Sequence, residues 1–120
     1  RYAVCDLTAM AEETHRFEAR YLDQLVGPWP AERALYDGRS PLQHADQIHC
    51  PVLFFQGKQD KVVLPEQTEH MAAALRANGV PVEVRLFEDE GHGFRNQTTQ
   101  VQVLEATQAF FHRQLGLPIA

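Results

Sequence analysis

The spacing of apolar residues switches repeatedly between a strand-like and a helical period along the chain. A short apolar run, Tyr2–Cys5, ends at Asp6 and predicts a first strand with a capping aspartate behind it. Helical spacing follows from Leu7 to Val26, carried by Ala9, Met10, Phe17, Tyr21, Leu22 and Leu25, with a break expected near His15. Gly27, Pro28, Trp29 and Pro30 stop that segment, and a second short helix is expected from Pro30 to Tyr36. Asp37–Pro41 reads as a turn, and Leu42–Gln47 as one more helical turn.

Val52–Phe55 has no polar alternation, which is how a strand covered on both faces reads. It runs into a polar loop, Gln56–Asp60. Pro65 and Glu66 then open a helix whose inward face is expected at Met71, Ala74, Leu75 and Asn78, with Gly79 at the C-terminal cap. Val80–Phe87 is β-rich and leads through Glu88, Asp89 and Glu90 to Gly91, His92, Gly93 and Phe94. The last helix is expected at about 97–114, with an apolar stripe of Val101, Leu104, Ala106, Phe110, Phe111 and Leu115. Strands alternating with crossover-length helices imply an α/β fold, with about three parallel strands and flanking helices. Three strands make a thin sheet with open edges, so the chain reads as the end of a larger α/β domain.

Composition narrows the function. The chain has 120 residues, enough for one domain at most. Its 11 Lys and Arg face 16 Asp and Glu, a net charge of -5, which argues against a nucleic-acid surface. Pro51–Phe55, the longest nearly apolar run, is too short to cross a bilayer, so no membrane partner is expected. No basic and apolar leader is visible, so the cytoplasm is the expected compartment, although with Arg1 rather than Met in first place the N-terminus is not visible. Two cysteines and no zinc-like Cys/His spacing imply neither a disulfide framework nor a metal site, and no organic cofactor is expected.

In parallel α/β sheets, sites form beyond the carboxyl ends of the strands. Two polar loops lie there, and each carries a group suited to acid–base work: Asp60 and His92. A histidine base needs a carboxylate to set its tautomer and stabilise the imidazolium. Glycines at 91 and 93 free the histidine loop, and Gly57 does the same for the aspartate loop. Taken singly, an aspartate after a strand is commonly a turn former and a histidine between glycines an exposed loop residue. A catalytic pair and a pair of ordinary loop residues both remain open on this evidence alone.

The motifs around these residues resemble those of prolyl oligopeptidase-family serine peptidases, whose catalytic domain has the α/β-hydrolase fold. One motif is a Gly, two variable residues, Asp, then a hydrophobic patch and Pro, here Gly57, Asp60, Val62, Val63 and Pro65. The other is a helix ending in Gly79, a strand over 82–87, then Glu90, Gly91, His92, Gly93 and Phe94. The stretch from Asp6 through Phe17, Arg20, Tyr21 and Gly27 to Ser40 and Pro41 is similar to the acylaminoacyl- and dipeptidyl-peptidase-like branch. The resemblance implies that residues 1–120 form the C-terminal part of a peptidase catalytic domain, with Asp60 as triad acid and His92 as triad base. It implies short peptides as substrates, because the family gates its site with a propeller domain.

Two departures qualify the expectation. Prolyl-specific members carry Arg two residues after the aspartate, where this chain has Val62, which argues against strict post-proline cleavage. The nucleophile is also missing: an α/β-hydrolase serine occupies a Gly-x-Ser-x-Gly elbow, and the single serine, Ser40, sits in a turn before Pro41. In the fold's chain order the serine precedes the acid and the base, so it is expected upstream, and the chain by itself is expected to be inert. Such a piece would also expose a sheet edge and apolar faces, through which it is expected to self-associate.

Other candidates are read more plainly. Cys5 and Cys50 are expected as small buried hydrophobes, with a cysteine hydrolase as the rival. His15, His44, His49, His70 and His112 show no paired spacing. Glu12, Glu13 and Glu88–Glu90 are taken as solvated charge, Arg16, Arg20 and Arg39 as local ion pairs, and Trp29 as packed between helices. The rival from another class is a self-standing, non-catalytic α/β interaction or ligand-binding module.

Overall fold

The computed structural model describes residues 1–13 and 21–118. Among the described residues three short helices come first: α1 (Leu7–Glu13), α2 (Tyr21–Leu25) and α3 (Arg33–Arg39). A 3-10 helix, Pro41–Gln47, leads into strand β1 (Val52–Gly57). Helix α4 (Pro65–Ala77) crosses to strand β2 (Val82–Phe87), and α5 (Gln97–Leu115) closes the order. The expected break near His15, together with Arg16, Phe17 and Arg20, lies outside the described residues.

Strands β1 and β2 pair in parallel, in register from Val52 opposite Val82 to Gly57 opposite Phe87. Among the described residues the sheet has these two strands rather than about three. Tyr2–Cys5 meets the far edge of β1 through one backbone bond, from Tyr2 N–H to the Phe55 carbonyl at 2.7 Å. The backbone groups of Cys5 are committed elsewhere. Cys5 N–H donates to Gln67 Oε1 at 2.8 Å, and the Cys5 carbonyl accepts from Leu42 N–H at 2.8 Å. Tyr2 itself takes φ 37°, a left-handed conformation that ends any extended run.

Helix α3 begins at Arg33, not Pro30, because two turns precede it: Glu32 N–H reaches the Pro28 carbonyl and Arg33 N–H the Pro30 carbonyl. The inward face of α4 is Gln67, Thr68, Met71, Ala72 and Leu75. Asn78 is exposed and serves as the C-cap instead. Gly79 follows at φ 76°, with its N–H on the Arg76 carbonyl and Val80 N–H on the Leu75 carbonyl, a Schellman ending of the expected kind. Phe54, Met71, Ala72, Leu75 and Val80 form the core, joined by Cys5 and Ala45 from the N-terminal segments.

Helix α5 departs most from expectation. Its buried residues are Thr99, Val103 and Phe110, whereas Val101, Leu104, Phe111 and Leu115 are 45–66% exposed. Apolar residues circle more of this helix than a two-stranded sheet can cover, the pattern of a helix enclosed on several sides. The radius of gyration, 15.9 Å, exceeds the roughly 14 Å of a compact domain of this length. Among the described residues no helix is long and apolar enough to cross a membrane.

Leu75 is wholly buried, so Leu75→Ala should lower the unfolding free energy by about 2–5 kcal/mol in a urea titration. Gln102→Ala, at an exposed position of α5, should shift it by less than about 0.5 kcal/mol.

Candidate active site

The two loops beyond the strand ends are tied to each other before any side chain is considered. Lys58 N–H bonds the Phe87 carbonyl at 2.9 Å, and Gln59 N–H bonds the Glu90 carbonyl at 3.0 Å. Gly57 makes this approach possible. A Cβ at that position would lie 2.3 Å from the Glu90 carbonyl oxygen and 2.6 Å from that of Gly91, so no other residue fits without moving backbone. Gly93 has φ 112°, a conformation glycine alone adopts freely, and it lets the chain turn directly after His92.

This arrangement brings the two expected residues together. His92 Nδ1 lies 3.0 Å from Asp60 Oδ2. The Asp60 side chain is fully buried, whereas that of His92 is 38% exposed. The other carboxylate oxygen, Oδ1, accepts the backbone N–H groups of Val62 and Val63, each at 2.9 Å. This local aspartate turn is favoured by a side chain short enough to reach its own backbone. Gln56, also fully buried, aims Nε2 at Asp60 Oδ2 from 3.4 Å and at the Val63 carbonyl from 3.2 Å. The Thr68 hydroxyl donates to Gln56 Oε1 at 2.9 Å and thereby sets which end of the amide faces the carboxylate. Gln56 and Thr68 carried no motif in the sequence; their only signal was polarity at inward positions.

An ionised carboxylate only accepts, so Nδ1 must carry the imidazole proton in this contact. Nε2 then keeps a free lone pair, the condition for a general base. The Tyr2 ring lies against the imidazole, with centroids 4.8 Å apart, and also meets Phe94 edge-on at 5.3 Å. One side of His92 is therefore packed.

The remaining candidates are not assembled into a site. Ser40 is fully buried, and its hydroxyl donates to the Tyr36 carbonyl and accepts Leu7 N–H, both at 2.8 Å. It holds helices together. Cys5 is buried, and desolvation, aided by the neighbouring charge of Asp6, pushes its thiol up to about 11. Cys50, expected inside, is exposed because it precedes β1 instead of entering it. His44 meets the Gly38 carbonyl and His112 the Pro118 carbonyl, while His49 and His70 are exposed. His15, Arg16 and Arg20 lie outside the described residues, and Arg39 is exposed. Trp29 packs edge-on against Tyr36 with centroids 5.0 Å apart, as expected. Glu88 and Asp89 are solvated, but Glu90 is not: it is 3% exposed, because its carboxylate turns inward to backbone N–H groups. Among the described residues no three His, Cys, Asp or Glu side chains are grouped to hold a metal ion.

The sequence profile of the prolyl oligopeptidase family matches residues 1–118. The chain belongs to that family. It is 38% identical over 78 residues to dipeptidyl aminopeptidase BIII of Pseudoxanthomonas mexicana, an alignment covering 65% of this chain and 11% of that protein. A puromycin-hydrolysing peptidase of Mycobacterium tuberculosis superposes with a TM-score of 0.93 at 46% identity, over 98% of this chain and 18% of that one. Pyrococcus horikoshii acylaminoacyl peptidase shares the fold, with a TM-score of 0.85 at 19% identity over 98% of this chain and 20% of its own. The fold is thus that of part of an α/β hydrolase, and the chain spans 11–20% of the length of these family members.

The two cysteines should separate cleanly in iodoacetamide at pH 8. Cys50 should be alkylated in the folded chain, and Cys5 only after unfolding, as read by peptide mass spectrometry. Because the thiol of Cys5 is raised by folding, its contribution to stability is complete below about pH 9 and is lost as pH climbs through about 11.

Proposed function

We propose that this chain supplies the acid and the base of a serine peptidase, Asp60 and His92, and that the nucleophilic serine comes from sequence outside residues 1–120. The observation that carries the reading is the 3.0 Å contact between a buried carboxylate and a partly open imidazole at the ends of consecutive parallel strands. In the reaction, Nε2 of His92 takes the serine hydroxyl proton as the oxygen attacks the peptide carbonyl. The resulting imidazolium is stabilised by Asp60 through Nδ1 and then returns the proton to the leaving amine. Water repeats the sequence on the acyl-enzyme. Ser40 does not replace the missing nucleophile, since it is buried with its hydroxyl engaged on both sides. On this reading residues 1–120 are the C-terminal part of the catalytic domain and are inert alone.

Relatives bearing the names dipeptidyl aminopeptidase and puromycin-hydrolysing peptidase support short peptides as the substrate class. Val62 gives its backbone N–H to Asp60 and has no cationic side chain to offer a substrate. Strict selection for proline is therefore not part of the proposal.

A serine-reactive fluorophosphonate tests the assignment. The 120-residue chain should not be labelled, and a chain extended upstream through the strands and elbow serine should be. His92→Ala should abolish that labelling, and Asp60→Asn, which presents the wrong tautomer, should slow it roughly 10⁴-fold. An extended chain that carries the elbow serine and stays unlabelled would refute the catalytic reading.

We further propose that the chain by itself self-associates. Among the described residues the outer edge of β2 has no strand partner, and Leu104, Phe111 and Leu115 lie exposed on α5. Sedimentation should show a dimer or larger species that the pair Leu104→Glu and Leu115→Glu shifts toward monomer. A sharp monomer boundary for the unaltered chain would be the contrary result.

A further inference from the structure

Glu90 is a carboxylate buried without a cation. It is 3% exposed, and no ion pair joins it among the described residues. Its donors are all backbone: Arg95 N–H reaches Oε2 at 2.8 Å, and Asn96 N–H lies 3.4 Å from each oxygen. Asn96 is the N-cap of α5, so the charge sits where the helix field favours it. The residue's own backbone faces the other way, its carbonyl accepting Gln59 N–H at 3.0 Å, one residue before Asp60.

We propose that Glu90 is a positioning residue for His92, holding the imidazole against Asp60 by closing the loop from both ends; this rests on Asp60 and His92 being the catalytic pair. The main chain of Glu90 anchors the near end of the loop to the aspartate loop, and its side chain anchors the far end at Arg95 and Asn96. His92 sits between these anchors, beside two glycines that add no side-chain bracing of their own. The Gly91–Gly93 bridge narrows the loop but spans only its tip. Without the carboxylate, the far end of the loop loses its tie at Arg95 and Asn96, and the 3.0 Å contact from Nδ1 to Oδ2 is left on that side with the ring packing of Phe94 on Tyr2 and Phe87 and the Gln100 bond to the Phe94 carbonyl. Burial of an uncompensated charge is costly, so a carboxylate here requires these donors in place.

The test uses the whole protein that carries this chain, with Glu90→Ala, the near-isosteric Glu90→Gln, and Asp89→Ala as an exposed control. Two quantities are read: the maximal rate of acylation by saturating fluorophosphonate with its half-saturating concentration, and hydrogen exchange over residues 91–96. Glu90→Ala should lower the maximal rate about 100-fold, the scale set by small misplacements of a catalytic group, with half-saturation changed by less than about twofold. Glu90→Gln keeps one acceptor for Arg95 and should fall between Glu90→Ala and the unaltered protein. Exchange over 91–96 should quicken in both Glu90 variants and not in Asp89→Ala. An unchanged maximal rate in Glu90→Ala overturns the proposal, as does a loss expressed only in half-saturation. If the unaltered protein takes no label, the catalytic reading fails separately, and unchanged exchange over 91–96 in Glu90→Gln would then overturn the loop closure itself.

Discussion

A carboxylate taken fully out of water must be matched by donors or by a cation, because its desolvation otherwise costs several kcal/mol. At Asp60 the match is made by four N–H groups: two backbone amides on Oδ1, and His92 with Gln56 on Oδ2. Between them these donors fix three segments. The backbone amides set the loop after β1, Gln56 sets the end of β1 itself, and Thr68 carries the constraint into the first turns of α4. His92 brings in the loop after β2. The register of the sheet and the placement of α4 are therefore coupled to one charged group.

The same logic of satisfied burial recurs around it. Gln67 is 3% exposed because its amide caps the N-terminal segment, accepting from Cys5 and Asp6 N–H and donating to the Asp6 carbonyl. Ser40 links α1 to α3 in the same way. The Gln67 ties, together with Cys5 and Ala45 in the apolar core, join the N-terminal segments to the strand–helix–strand unit. The sheet is too narrow for that unit to enclose α5, which leaves an apolar face in solvent. The relatives named above are five or more times as long as the chain.

Local patterns were legible where one short-range rule dominates. The ends of α4 follow from Pro65 and Gly79, since a proline at the first turn and a glycine in the left-handed region have few alternatives. The uninterrupted apolar run of β1 reads directly as a doubly covered strand. The helical face of α5 did not, because apolar residues surround more than one side and periodicity cannot say which side finds a partner. Tyr2–Cys5 had strand composition yet forms no ladder: it makes one backbone bond to β1, and the backbone groups of Cys5 are taken by Gln67 and Leu42, far away in sequence.

Asp60 and His92, the glycines that flank them and the absence of an elbow serine are properties of the sequence alone, because residue type and local spacing suffice to name chemistry that a loop can carry. The 3.0 Å contact between the two, the burial of one and the exposure of the other are properties of the tertiary structure. So is the difference between Glu88, which is solvated, and Glu90, two residues on, which is buried. An acidic run looks alike along the chain. Only the turn of the backbone at 91–96 decides which carboxylate meets water and which meets the N–H groups at the start of α5.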